Sequence, residues 1–329
     1  MKKLLLKTIK IILPLVLGIF ILYWVYKDFD FSKLLEVFHQ DFRWGWMLFA
    51  LFFGVWSHIF RGWRWNLSLA PLDLYPRKRN SVYAIFIAYA ANLILPRVGE
   101  VSRCGVLAKY DKVPFSLSLG TLVTERLIDS FCVLFIVFLA LFFQLPVFLS
   151  FFSSTGTRMD SIIQLLTSYE FYLGVVLVLA FILVLFFVIK KYRIFKPIRK
   201  MGREIWLGII SLKKVENKWL YAFYTFAIWG CYFLEFYLTF YCFSFTQHLG
   251  ILAGLVLFVS GSIAVLVPTP NGAGSWHFAI IAMLTLYGVS SENAGAFALL
   301  VHGIQTLLIV LLGIYGLTAL PLFNKNKKT

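Results

Sequence analysis

Charged side chains interrupt long apolar runs in AANLILPRVGEVSRCGVLAKYDKVPFSLSLGTLVTERLIDSF, residues 90–131. Three arginines and three carboxylates stand out in it: Arg97, Glu100, Arg103, Glu125, Arg126 and Asp129. A charge at membrane depth costs at least about 2.5 kcal/mol, so such residues rarely occur there without a partner or a function. This stretch is therefore where we look first for a functional site.

The composition of the whole chain indicates a membrane protein. Of its 329 residues, 60% are hydrophobic and only 14% are charged. Because about 20 apolar residues suffice for one membrane-spanning helix, we expect an all-α integral membrane protein with a single domain, 1–329. The net charge of +16 lies in short segments beside apolar runs. That placement follows the positive-inside rule, and we therefore expect no nucleic-acid partner.

The cysteines and the N-terminus carry no further signal of a cofactor or of cleavage. Four scattered cysteines lack a CxxC pair and a His partner at metal spacing, so neither a zinc site nor a disulfide framework is expected, and no cofactor is predicted. The basic start is followed by a long apolar run without a small-residue cleavage site, which favours an uncleaved first helix over a signal peptide.

Apolar runs predict about eight transmembrane helices plus one broken or re-entrant segment. The predicted spans lie near 8–26, 44–62, 117–144, 171–189, 219–243, 249–267, 276–288 and 295–320. A further run, 81–96, is short for a crossing and has basic residues on both sides. Such a re-entrant segment is tolerated only where protein or a wet cavity satisfies its backbone.

Lys and Arg predict the orientation in the cell's inner (cytoplasmic) membrane. Basic residues precede the first span, follow the second, fill 190–218 and end the chain, whereas 145–170 has only Arg158. The same pattern places Arg61 and Arg64 in the basic segment after the second span. Cytoplasmic N- and C-termini place every basic loop on one side.

The basic loop 190–218 has two possible structures. Its apolar residues recur at helical spacing among cations, which is typical of a helix lying on the inner leaflet. The alternative is a solvated connector that only fixes topology.

The first motif is Asn92-x-x-x-Pro96-Arg97-x-Gly99-Glu100-x-x-Arg103. Proline and glycine break the apolar helix and expose backbone groups. The arginine forks suit a phosphate or carboxylate, and Glu100 and Arg103 are three residues apart, close enough to pair on a helix.

The second motif, Glu125-Arg126-x-x-Asp129, places both carboxylates on one helical face, with Arg126 able to reach Asp129. A purely structural salt-bridge network remains the alternative, although apolar packing could replace one at no loss of stability.

The third motif is a Pro/Gly loop, VPTPNGAGSWH, residues 267–277. Its candidate binding residues are Pro268, Pro270, Asn271, Gly272, Gly274 and His277. A helix that begins inside the membrane offers free N–H groups to an anion, whereas the alternative is an ordinary turn between spans. Because Pro/Gly breaks at matching places in two halves point to a transporter-type site, LILPRVGE and VLVPTPNGAG suggest a possible inverted repeat.

Taken together, these motifs resemble the transmembrane, flippase-like domain of lysylphosphatidylglycerol synthases and the related YbhN-like membrane proteins. The resemblance rests on the N…LPRxGE…R run, the ER…D pair and the PxPxGxG loop, in that order, over essentially the whole chain. The family pattern usually reads PxPGGxGxxE. Here Asn271 replaces a glycine and His277 stands where the glutamate would be. The family's synthase activity belongs to a soluble module, so enzymatic activity is not expected of these residues.

The leading hypothesis is a membrane protein that binds a phospholipid, with an anionic or aminoacylated head group, and moves it between leaflets. Arg97, Arg103 and Arg126 would engage phosphate, the three carboxylates would hold them, and the Pro/Gly loop would form an opposite wall.

Two alternatives stay open. One is a polyprenyl-phosphate glycosyltransferase using Asp28 and Asp30, and the other is a membrane subunit that recruits a soluble enzyme through 190–218. Glu235, His302 and Gln305 are lesser polar positions inside spans. The oligomeric state is not predicted.

Overall fold

The computed structural model describes residues 2–154 and 196–324, with the isolated positions 164, 168, 169, 172, 173, 176, 177 and 180 between them. The described residues form α-helices joined by short turns, which confirms the all-α prediction. The helices are α1 Lys2–Tyr26, α2 Phe31–Gln40, α3 Trp44–Leu69, α4 Lys78–Ile94, α5 Val98–Asp111, α6 Phe115–Ser154, α7 Lys196–Ile210, α8 Lys218–Tyr237, α9 Ile251–Ala264, α10 Ser275–Leu286 and α11 Ser291–Phe323.

The predicted spans match this helix order where the structure describes the chain, and two further helices, α2 and α5, lie between the predicted spans. The short amphipathic helix α2 was not predicted, and its N-terminus is capped by Asp30, which accepts a hydrogen bond from Ser32 N–H at 2.8 Å. The predicted span 171–189 lies outside the described residues. Two helices, Phe115–Ser150 and Ser291–Phe323, are long and apolar enough to cross a membrane by themselves. The count of eight crossings therefore stays a prediction.

Two halves of the chain share one plan. In α3–α6 and again in α8–α11, a long helix is followed by two short helices joined at a Pro/Gly break, and then by another long helix. α3 packs against α8, α4 against α11, and α9 against α6. Suppose each helix is exchanged for its counterpart in the other half, α3 with α8, α4 with α9 and α6 with α11. The α3–α8 contact is then unchanged and the α4–α11 contact becomes the α9–α6 contact, as a two-fold relation between the halves requires. The arrangement agrees with the possible inverted repeat suggested by the two breaks.

Small residues allow the two halves to approach closely. A Cβ added at Gly313 of α11 would collide with the Cβ of Ala90 in α4. One added at Gly54 of α3 would collide with the Glu235 carboxylate of α8. Glycine at Gly313 lets α11 approach α4 closely, and glycine at Gly54 leaves room for the Glu235 side chain between α3 and α8.

The two hairpins, α4–α5 and α9–α10, enter from opposite ends of the bundle. Arg77 Nε bonds Asp111 Oδ1 at 2.8 Å and Asn80 bonds Asn324 at 3.3 Å, so α4 begins where α5 and α11 end. At the other end, Arg43 N–H bonds the Cys242 carbonyl at 2.9 Å, so α3 begins where α8 ends, just before α9.

The tips of both hairpins lie near the middle of α11. Asn271, in the tip of the α9–α10 hairpin, donates to Thr306 Oγ1 at 3.1 Å. Ala90, one turn before the tip of the α4–α5 hairpin, packs on Gly313. Each hairpin therefore reaches only part of the way through the bundle.

Part of the basic segment 190–218 forms α7, which packs on α6. Gly120 and Gly208 bring the two backbones into contact, and Thr124 Oγ1 donates to the Ile209 carbonyl at 3.1 Å. Trp206 points away from the bundle, with 61% of its surface exposed. The helix exists as expected, and its position on a leaflet stays a prediction.

Candidate functional site

Five buried charged side chains from three helices meet beside the α4–α5 hairpin. α3 contributes Arg61 and Arg64, α5 contributes Arg103, and α6 contributes Glu125 and Asp129. Each of the five is at most 6% exposed. We call this set the charge cluster. An unpaired buried charge is severely destabilising, so the stability of the folded protein depends on the ion pairs within the charge cluster.

Asp129 is bonded by two arginines of α3. Arg61 Nη1 lies 2.7 Å from Oδ2, and Arg64 Nη2 lies 2.8 Å from Oδ1. Residues three apart on α3 point the same way, so one carboxylate receives both guanidinium groups. Arg61 also donates to Tyr232 at 3.3 Å, and Arg64 to Thr225 at 3.3 Å, which ties α8 to the cluster.

Glu125 lies one turn before Asp129 on the same face of α6 and binds Arg103. The distance from Arg103 Nη2 to Glu125 Oε2 is 2.9 Å, and Arg64 Nε lies 3.5 Å from Oε1. The Arg103 guanidinium sits 4.5 Å from the centre of the Trp65 ring, whose Nε1 donates to Thr121 at 3.0 Å. Arg103 is thus held by a carboxylate and by an aromatic face.

Two donors of Arg103 remain unused. Its Nε and Nη1 are buried and form no hydrogen bond within the described part of the chain. An unsatisfied buried donor costs about 1–3 kcal/mol, so a group that accepts from these atoms would be bound favourably.

A further ion pair, between Arg126 and Glu100, lies at the edge of the cluster. Arg126 Nε is 2.7 Å from Glu100 Oε1 and joins α6 to α5, while its Nη1 is 3.5 Å from Asp129. Both members are partly exposed, 39% for Arg126 and 28% for Glu100. The predicted Glu100–Arg103 pair does not form. Each of these two side chains instead crosses to α6, because α5 turns this face toward that helix.

The break between α4 and α5 is built by Asn92 and Gly99. Asn92 Oδ1 accepts from the Gly99 N–H at 2.8 Å, at the start of α5. A Cβ at Gly99 would collide with the Ala88 carbonyl, so the tip requires glycine there. Arg97 stands at the tip with φ 67° and an exposed side chain, and it forms no ion pair among the described residues. It therefore lies outside the charge cluster.

A small cavity opens between α4, α5 and the charge cluster. It is lined by Arg61, Ile85, Ala88, Tyr89, Asn92, Glu100, Arg103 and Arg126. Its volume is about 10 Å³, which is close to the minimum that holds one water molecule. The cavity brings four predicted site residues together in a closed arrangement that has no room for a head group.

The Pro/Gly loop forms a separate polar site. Asn271 has φ 52°, its Nδ2 donates to Thr306, and its carbonyl accepts from His302 Nε2 at 3.1 Å. The Gly274 N–H donates to His277 Nδ1 at 3.3 Å. Pro270 packs near Gly18 of α1, Gly272 has φ 72°, and Pro268 is exposed. The loop contacts α4 but lines no part of the cavity beside Arg103, so the expected opposite wall is absent from this closed arrangement.

Arg61 and Arg64 are the residues that sequence reasoning missed. They were assigned to a basic segment after the second span, but α3 continues to Leu69 and buries both side chains. A signal was available in their spacing. Arg61 and Arg64 are three residues apart and share one helical face, as Glu125 and Asp129, four apart, do on another helix, so the two faces could pair.

Asp28 and Asp30, the acidic pair of the glycosyltransferase alternative, make local structural contacts. Asp30 caps α2, and Asp28 lies 3.7 Å from Lys27 at the surface. The described residues contain no group of three His, Cys, Asp or Glu that could hold a metal ion, and the four cysteines are free and scattered. Two hydrogen bonds from Ser32 lower the pKa of Asp30, as expected for a capping carboxylate.

Comparison with known proteins gives two matches. The family model described as "Lysylphosphatidylglycerol synthase TM region" matches residues 11–313. A UPF0104 membrane protein of Methanocaldococcus jannaschii is 28% identical over 225 residues, which cover 68% of this chain and 90% of that protein. No solved structure matches the chain.

Proposed function

This chain belongs to the lysylphosphatidylglycerol synthase TM region family, and from that premise we propose that it binds the phosphate of a phospholipid head group beside Arg103 and moves the lipid between the leaflets of the cell's inner membrane. The family places the chain in a membrane and in a lipid-related context.

The observation that carries the proposal is the unused pair of donors on Arg103. This guanidinium is buried, lines a cavity, and has Nε and Nη1 unbonded. Phosphate oxygens are strong acceptors for arginine donors. Glu125 and Trp65 fix the guanidinium from two sides, so a phosphate would meet a donor already in position.

The Glu100–Arg126 pair is suited to act as a gate. It joins α5 to α6 at the edge of the cavity and remains partly exposed, so that an arriving anion can compete with Glu100 for Arg126. Partly exposed ion pairs contribute little stability, about 0–1 kcal/mol, and can be exchanged at low cost. Arg97, at the exposed tip, would add a first contact for the phosphate.

Binding a head group requires the α4–α5 hairpin to move, because the closed cavity holds about one water molecule. The two hairpins enter from opposite ends, and this arrangement supports alternating access, in which each hairpin gates one leaflet. We assign the end with Arg77, Lys78 and Arg79 to the cytoplasm on the positive-inside rule.

The test is lipid redistribution in vesicles that contain the purified protein. Labelled phospholipids with anionic, zwitterionic and aminoacylated head groups are compared for their rate of appearance in the opposite leaflet. Arg103→Gln is expected to slow the favoured lipid at least about tenfold, because a hydrogen bond to a charged group contributes about 1.5–3 kcal/mol.

Arg79→Gln is the matched control, since Arg79 bonds the Phe323 carbonyl at the bundle surface and lies away from the cavity. It should leave the rate unchanged, and thermal unfolding in detergent should show that both variants are folded. A wild-type protein that moves none of the lipids would overturn the proposal. A folded Arg103→Gln variant with the wild-type rate would overturn the assignment of Arg103.

A further inference from the structure

Two histidines meet at the tip of the second hairpin, where the charge cluster has no counterpart. The ring centres of His277 in α10 and His302 in α11 lie 4.6 Å apart. His277 is 4% exposed and His302 is partly buried. We call them the histidine pair.

Hydrogen bonds to the backbone fix the tautomer of each ring. The Gly274 N–H can only donate, so His277 Nδ1 accepts and carries no proton. The Asn271 carbonyl can only accept, so His302 Nε2 donates. In neutral His302 the lone pair is therefore on Nδ1, and no described residue forms a hydrogen bond with that atom.

His302 is the better proton acceptor of the two. A proton on His277 Nδ1 would break its bond to Gly274. A proton on His302 Nδ1 leaves the Nε2–H bond to Asn271 intact and makes it charge-assisted, hence stronger. The Trp276 ring lies 5.2 Å from His302 at an interplanar angle of 34°, and an aromatic face stabilises a cation.

Among the described residues, no charged side chain is bonded to either ring. The titratable neighbour from α1 is Tyr26, whose ring centre is 5.7 Å from His277. From α4, α6, α8 and α9, no described charged side chain forms an ion pair or hydrogen bond with either ring. Glu235 of α8 lies against Gly54 of α3 instead. Burial disfavours the charged form of a histidine, so the pair is neutral unless acidification or a gradient supplies a proton.

We propose that the histidine pair is a proton-binding site and that proton binding at His302 Nδ1 couples lipid movement to a proton gradient. The inference rests on the proposed function and adds its co-substrate. One proton adds to neutral His302 on one side of the membrane and leaves as the same proton on the other. Because charged His302 binds the Asn271 carbonyl more tightly, the loop is held on α11 when loaded and is freer when unloaded.

The test uses vesicles with the membrane potential clamped to zero and an imposed difference of about one pH unit across the membrane. If one proton moves with each lipid, this gradient shifts the steady-state leaflet ratio of the labelled lipid about tenfold. His302→Gln should keep lipid movement and lose the shift. His39→Gln, which alters an exposed histidine on α2, should keep both.

A second readout does not depend on transport. Nitrogen-15 spectra of ring-labelled histidine, assigned with His302→Gln and His277→Gln, should show His302 gaining a proton at Nδ1 on acidification while His277 keeps its tautomer. A proton gained first on His277 would overturn the assignment.

The outcomes separate the two proposals. Wild-type protein that moves lipid equally with and without the gradient leaves the proposed function standing and overturns proton coupling. A His302→Gln variant with the full gradient response overturns the role of the pair. A wild-type protein that moves no lipid defeats the proposed function and the coupling with it, even if His302 takes up a proton.

Discussion

The two hairpins have the same backbone plan and opposite chemistry. The α4–α5 break lies beside five buried charges held in ion pairs, whereas the described contacts of the α9–α10 break are made by neutral histidine, asparagine and threonine side chains. Both tips meet α11 near its middle. The shared arrangement of helices therefore sets where each polar site lies within the bundle. The side chains at each tip set whether its charge is permanent or titratable.

This difference has an energetic consequence. Buried ion pairs are costly to desolvate and are stable only while each partner is present. Neutral hydrogen bonds contribute about 0.5–1.5 kcal/mol each, and their loss is tolerated more easily. Substitutions in the first site should therefore damage folding more than substitutions in the second.

The largest effect is expected for Asp129→Ala. It leaves Arg61 and Arg64 buried without their shared carboxylate, which should cost about 3–5 kcal/mol of unfolding free energy. Thermal unfolding in detergent measures it. Asp28→Ala is the control at an exposed ion pair and should not change the melting temperature. Equal melting of the Asp129 variant and the wild type would show that the charge cluster does not hold α3 to α6.

A smaller effect is expected for Gly313→Val, which addresses the contact between the halves. The new side chain would collide with Ala90 and push α4 from α11, at a cost of about 1–3 kcal/mol for overpacking. Gly303→Val is matched to it, because Gly303 is on the same helix and faces open space. If both variants unfold alike, close packing of α4 on α11 is not what joins the halves.

An effect about as small as that of Gly313→Val is expected for Asn271→Ala in the second site. It removes the bond to Thr306 and places alanine at φ 52°, for a combined cost of about 1–3 kcal/mol. Asn271→Gly removes the same bond without backbone strain and should cost less. A loss as large as that of Asp129→Ala would erase the contrast between the two sites.

The sequence predicted much of the fold because hydrophobic runs and Pro/Gly breaks act locally. The positions of α3, α4, α6 and α11, and both interrupted segments, follow from such patterns. α2 was missed because its polar positions hide a ten-residue amphipathic helix between two spans.

The charge cluster could be predicted only in part. Spacing placed Glu125 and Asp129 on one face of a helix, and the structure confirms that geometry. Spacing within one helix could not show that the partners come from α3 and α5, since the pairing depends on which faces pack together. For the same reason, the sequence alone predicts a topology signal for the arginines of α3 and a Glu100–Arg103 pair, whereas the structure pairs Glu100 with Arg126.

The glycine contact between α6 and α7 gives the cluster a mechanical link to the bundle surface. Gly120 and Gly208 leave no side chain between the two backbones, so a shift of α7 toward α6 presses directly on the backbone of α6. α6 bears Glu125 and Asp129 one to three turns after Gly120. We therefore expect a displacement of α7 to move the carboxylates that hold the arginines, so that α7 connects the surface of the bundle to the charge cluster.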